Sequence, residues 1–112
     1  MKPYYLLAAG LILLTCSFTP KQKEQLRATA KQEDSSIKAK AFSILETKCN
    51  FCHNRQNPRK VFTSENMDGH AGNIYRQVFV WRRMPKNNAV TLSSEEQETL
   101  KRWLRLNTRV KD

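Results

Sequence analysis

The sequence is short of residues that bend a chain and of residues that staple one. Among 112 residues there are 3 glycines and 4 prolines. No strand pair with a convincing hairpin turn is present, nor an internal repeat, so a β architecture is set aside and the chain reads as all-α. The 3 cysteines include one far from the other two, which does not make a disulfide framework. Acidic residues number 10 against 20 basic ones, for a formal net charge of +10. This balance favours acidic partners. The basic residues run from Lys21 to Lys111 and do not cluster with aromatics on one element, so no nucleic-acid partner is expected. Hydrophobic residues make up 39% of the chain and mean hydropathy is -0.68. A core this modest needs a staple.

What is present begins with Cys49-Asn50-Phe51-Cys52-His53, at the end of a helical pattern and before a polar loop. A single Cys-x-x-Cys-His reads as the covalent attachment site of one haem c. Two thiols at this spacing can add across the two vinyl groups of a haem, and the histidine after them lies beneath the iron as proximal ligand. Such a group would be the missing staple, and the haem-free polypeptide is expected to fold poorly. Two propionates, with Lys2 removed, would bring the net charge to roughly +7 or +8. The second reading of the same residues is a zinc site of Cys49, Cys52 and His53, with His70 or Cys16 as fourth ligand.

The chain in order gives three parts. Residues 1–15 carry a basic start at Lys2 and an apolar run from Leu6 to Leu14, too short for a stable span, which together read as an export signal. Leu13-Leu14-Thr15-Cys16 looks like the lipobox of bacterial lipoproteins, where Cys16 takes a diacylglycerol and becomes the first residue after cleavage. The alternative is ordinary cleavage near Thr19-Pro20, with Cys16 discarded. Residues 16–35 are polar and are expected to form a flexible tether, transiently helical from Lys23 to Lys31. Residues 36–110 form the folded domain. Its first helix is expected from a cap at Ser35 or Ser36, with Ile37, Ala41, Ile44 and Leu45 at helical spacing and Phe42 alongside. A second helical stretch covers about Met67 to Arg83, with Ile74, Tyr75, Val78 and Trp81 on one face. Gly69 and Gly72 weaken its first turns, so two short helices, around Ser64 to His70 and from Asn73 to Arg83, are the alternative, and the Met84-Pro85 pair stops the pattern. The last helix opens with a capping box, Ser93 and Glu96, and shows an apolar stripe of Leu100, Trp103 and Leu104.

A haem iron held by one histidine takes either a second protein ligand, which suits electron transfer, or an open position, which suits ligand binding or catalysis. Three residues are candidates. Met84 leads, since Pro85 fixes the chain beyond it; His70 is the alternative distal ligand, and Met67 the third. Arg59, Arg82, Arg83, Lys86 and the indole of Trp81 or Trp103 are candidate donors to the propionates.

These residues together resemble small bacterial class I c-type cytochromes. The likeness covers about Ile37 to Leu106: a helix ending in Cys49-Asn50-Phe51-Cys52-His53, a distal Arg83-Met84-Pro85 segment, and the closing helix from Ser94 to Leu104. The resemblance implies a small helical domain wrapped around one covalently attached haem, with crossing first and last helices, His53 proximal and Met84 distal. The function expected is one-electron transfer outside the cytoplasm, without enzymatic activity. The protein would be membrane-anchored through Cys16 and would meet acidic redox partner proteins. The alternative is a haem enzyme or a gas- or peroxide-binding protein with an open or labile distal position.

Overall fold

The structure is a computed structural model that describes residues 18–86 and 90–108. The export signal of residues 1–15 and the lipidation candidate Cys16 lie outside the described residues. Every regular element among those described is helical, as the all-α expectation requires.

Helix α1 spans Pro20–Ile44. It therefore starts well before the expected cap at Ser35 or Ser36, inside the stretch read as a tether. The local chemistry explains the difference. The Gln22 side chain accepts the Thr19 backbone N–H at 3.3 Å, and Pro20 occupies the first helical turn, where a missing N–H costs nothing. Lys, Gln, Glu, Ala, Arg and Leu then carry the helix by propensity alone. Ser35 does not cap; its hydroxyl donates back to the Gln32 carbonyl at 3.0 Å. Burial begins only at Ile37.

The helical path continues through a π-helical turn, Leu45–Asn50, into α2, Phe51–Gln56, and closes with a 3-10 turn at Pro58–Lys60. Helix α3 spans Met67–Tyr75 and also runs into a π-helical turn, Arg76–Val80. Gly69 and Gly72 are accommodated inside it with ordinary helical φ. The path ends at Trp81, earlier than the Met84-Pro85 stop, because Arg82 takes a left-handed φ of 51°. Helix α4, Ser94–Asn107, starts as expected: Ser93 Oγ accepts the Glu96 N–H, and the Glu96 carboxylate accepts the Ser93 N–H at 2.8 Å.

Three helices share one core. Ile37, Ala41, Ile44 and Leu45 meet Met67, Ala71 and Ile74 of α3 and Leu100, Trp103 and Leu104 of α4. Met67 is fully buried there, so it is a packing residue and not a distal-ligand candidate. Two ion pairs tie α4 to this path in antiparallel order: Arg102 with Glu33 of α1, and Glu96 with Lys48 of the π-helical turn at 3.5 Å. Asp68 ties all three helices together. It accepts the Trp103 indole N–H at 3.0 Å and the Lys38 ammonium at 2.5 Å. Tyr75 and Trp81, expected on the buried face of the second stretch, are instead 42% and 49% exposed.

Candidate functional site

The motif straddles a change of helix type. Cys49 is the penultimate residue of the π-helical turn and Cys52 lies in the first turn of α2, so the two side chains stand three residues apart on one side of the helix. A π-helical turn inserts a residue into the α-helical register and re-aims the side chains beyond it, which is one reason such turns recur at functional sites. Both thiols are free and half-buried. Burial, with a smaller push from neighbouring Cys52, raises the Cys49 thiol to about 11, so it is protonated at neutral pH.

His53 is oriented by the backbone. Its Nδ1 lies 2.7 Å from the Lys60 carbonyl oxygen. A carbonyl only accepts, so the proton sits on Nδ1 and the Nε2 lone pair is left for a ligand-accepting centre. The carbonyl is available because the Pro58–Lys60 turn directs its other hydrogen bonds back to Asn57 and Pro58. Asn50, inside the motif and almost wholly buried, grips the residues just beyond. Its side-chain N–H donates to the Phe62 carbonyl and its oxygen accepts the Phe62 N–H, each at 2.8 Å. The Phe62 ring then abuts both histidines, 5.4 Å from the His53 ring and 5.7 Å from that of His70.

Across the cleft, the segment after α3 is tied to the helix it leaves. The Gln77 carbonyl accepts the N–H groups of Arg83 and Met84 at 2.9 and 3.2 Å. Met84 is 36% exposed and faces the same cleft as the motif.

The cleft has a volume of about 370 Å³, within the ordinary range for cofactor and ligand sites. Cys49, Cys52, His53, Met84 and His70 all line it, with Ile74 and Val78 supplying apolar wall. Three residue stretches distant in sequence thus converge. Lys48, Lys60 and Lys86 also line it, and among the described residues no carboxylate does, so it favours an anionic guest. Of the expected propionate donors, Lys86 alone is at the lining. Arg83 stacks on Trp81 at 5.1 Å, and the Trp103 indole is spent on Asp68 in the core.

These residues fit a covalently held haem: two thiols on one side, a nitrogen with its tautomer fixed, a soft thioether, apolar walls and cations for anionic edges. They do not fit a zinc ion. Among the described residues no three of His, Cys, Asp and Glu come close enough to share one metal ion, and a tetrahedral site needs such a cluster. A haem iron asks only for axial ligands.

The features that sequence reasoning missed are the Lys60 carbonyl, the Asn50–Phe62 pair, and Lys48 and Lys60 at the lining. A backbone acceptor leaves no trace in a sequence. The one available signal was Asn50, a polar residue placed one turn after the buried Ile44-Leu45 pair. No family model, curated protein or solved structure matches this chain.

Proposed function

We propose that the chain is a monohaem c-type cytochrome, a one-electron carrier that works outside the cytoplasm and is held to a membrane through lipidated Cys16. The observation that carries this reading is the hydrogen bond from His53 Nδ1 to the Lys60 carbonyl, 2.7 Å long, beside two free thiols in one cleft with Met84. A generic Cys-x-x-Cys-His need not fix its histidine tautomer. This one presents Nε2 as an axial ligand requires.

In this reading Cys49 and Cys52 hold the group by thioether bonds, His53 is its proximal ligand and Met84 its distal one. When bound, the haem supplies a one-electron ferric/ferrous couple, and a thioether ligand raises its potential. The protein's own contribution is to change little between the two states. The π-helical turn and α2 carry the thiols and His53, the Asn50–Phe62 pair pins the loop beneath, and the Gln77 carbonyl holds the Met84 backbone. Lys60 and Lys86 receive the propionates, while Lys48 at the same lining is held by Glu96. The excess of basic residues steers the carrier towards acidic redox partner proteins in a salt-dependent way.

A second reading rests on the exposure of Met84 and on His70 lining the same cleft. A distal methionine held by a loop can leave, and the protein would then bind gas or peroxide or act as a haem enzyme. Optical spectra decide. The full chain is expressed in a host that attaches haem c, and wild type is compared with Met84→Ala and His70→Ala. Low-spin spectra and the weak far-red ferric band of sulfur ligation, lost only in Met84→Ala, are expected for the carrier. A wild type that is already high-spin and binds carbon monoxide would replace it with the second reading. Absence of covalent haem would overturn both.

A further inference from the structure

We propose that Asn50 is a positioning residue for the proximal ligand: its side-chain amide, locked onto the Phe62 peptide, holds the Lys60 carbonyl against His53 Nδ1. The inference rests on the haem reading of the cleft and adds a determinant that the Cys-x-x-Cys-His pattern leaves as an unspecified residue.

The geometry runs as a short chain of contacts. The carboxamide of Asn50 matches the donor and acceptor of one residue, Phe62, with two bonds of 2.8 Å. Only an amide of this length offers both an N–H and an oxygen there: aspartate has no donor at neutral pH, and leucine has neither. Asn50 is 5% exposed, so water does not replace the pair when it is lost. Lys60 lies two residues before Phe62. Its carbonyl is aimed at His53 by a segment fixed at one end by the Asn57 N–H on the His53 carbonyl, at 2.8 Å, and at the other by Asn50. Release of the second end frees the carbonyl and also the Phe62 ring that abuts His53.

The consequence is chemical as well as mechanical. A histidine that donates Nδ1–H to a carbonyl is a more electron-rich ligand, which favours ferric over ferrous iron. Loss of that bond therefore raises the reduction potential. A tenfold change in relative ferric stabilisation is about 59 mV for one electron.

The test compares wild type, Asn50→Leu and Asn50→Ala with Leu100→Ala, a core variant of α4 whose apolar side chain makes no hydrogen bond to the loop. Midpoint potential, melting temperature and solvent exchange of the His53 Nδ1–H, followed by ¹⁵N NMR in the reduced holoprotein, are measured on each. Asn50→Leu is expected to speed that exchange at least tenfold and to raise the potential. Leu100→Ala is expected to lower the melting temperature and move neither. Should Asn50→Leu not fold, Asn50→Ala, which also removes both bonds to Phe62 and brings in less bulk, takes its place. Unchanged exchange and potential in the folded Asn50 variant would overturn the inference while leaving the haem reading standing. If wild type takes up no haem, that reading fails on its own, and the inference is judged on the haem-free full chain. There, Nδ1–H protonation of His53 in wild type and its loss in the Asn50 variant support it, and an unaltered tautomer overturns it.

Discussion

Trp103→Phe should be among the most damaging conservative changes in the molecule, because one side chain fills the core and joins two helices. Trp103 has no exposed surface, and its indole N–H reaches Asp68 Oδ1 at 3.0 Å, while Asp68 Oδ2 takes Lys38 Nζ at 2.5 Å. A hydrogen bond to a charged group contributes about 1.5–3 kcal/mol. The Asp68 side chain is 37% exposed, so water partly replaces the lost donor and the lower figure applies. The smaller ring leaves a void; one the size of a water molecule, roughly 30 Å³, costs about 0.7 kcal/mol at roughly 24 cal/mol per Å³. Together these give about 2 kcal/mol, a fall of about 8–16 °C in melting temperature for a domain of this size. The assay is thermal unfolding followed by helical circular dichroism, with every variant in the same haem-loading state. Asp68→Asn helps to separate the contributions: it keeps an acceptor for Trp103, now neutral, and removes the ion pair with Lys38, whose partly exposed partners are worth about 0–1 kcal/mol. A fall under about 3 °C in Trp103→Phe, well below the range set by the entropy of unfolding, or zero coupling between Trp103→Phe and Asp68→Ala in a double-mutant cycle, would refute the reasoning.

Further outcomes can be read from simpler measurements. Gly69→Ala and Gly72→Ala should each stabilise the protein by about 0.5–1 kcal/mol in denaturant titration, since both sites are helical and an added Cβ meets nothing within 4 Å. Ser93→Ala should cost about 1 kcal/mol by loss of the α4 cap. The reciprocal Glu96 carboxylate is held below its usual range, first by the Ser93 N–H and then by Lys48. Its contribution is therefore complete above the unfolded value near 4.5 and disappears as pH falls through the lower folded value, so Glu96→Gln and wild type should converge in acid.

What could be read in advance was whatever the chemistry encodes locally. The α4 start was legible because a capping box is a four-residue pattern, and the buried stripes of Ile37 to Leu45 and Leu100 to Leu104 came from helical spacing. Chemistry alone offers Met84 and His70 as rival distal ligands, and both line the cleft with the motif. The errors have physical causes. A 3.6-residue period puts Trp81 on the buried face, but the π-helical turn at Arg76–Val80 breaks that period and turns it outward, whereas Tyr75, before the turn, flanks the buried Met67-Ala71-Ile74 stripe of α3 instead of lying in it. The helix before Trp81 ends on a left-handed arginine, a conformation that no pattern of side chains announces. The Lys60 carbonyl belongs to the backbone, so the acceptor that orients His53 has no residue type by which to be recognised.

The start of α1 poses the sharpest remaining question, because the residues read as a tether are helical and yet bury nothing. Residues 18–36 contain no buried position, and the first side-chain tie to another helix is that between Glu33 and Arg102. The part before it, Pro20 to Gln32, extends about 20 Å at helical rise and depends on propensity and on the Thr19–Gln22 cap. Isolated helices of about 12–15 residues are marginal in water, so this part should open at almost no cost in free energy. Opening of the part beyond Ile37 breaks the core. Native-state hydrogen exchange should therefore divide α1 within itself: amides from Glu24 to Gln32 should exchange with little protection, and those near Leu45 should share the protection of Leu100 and Trp103 on α4. Deletion of residues up to Lys31 should shift the melting temperature by under about 2 °C, since it removes no core contact. Equal protection along the whole helix would mean that another surface covers it. Phe18 and Leu26, both more than half exposed, are the side chains such a surface would have to meet.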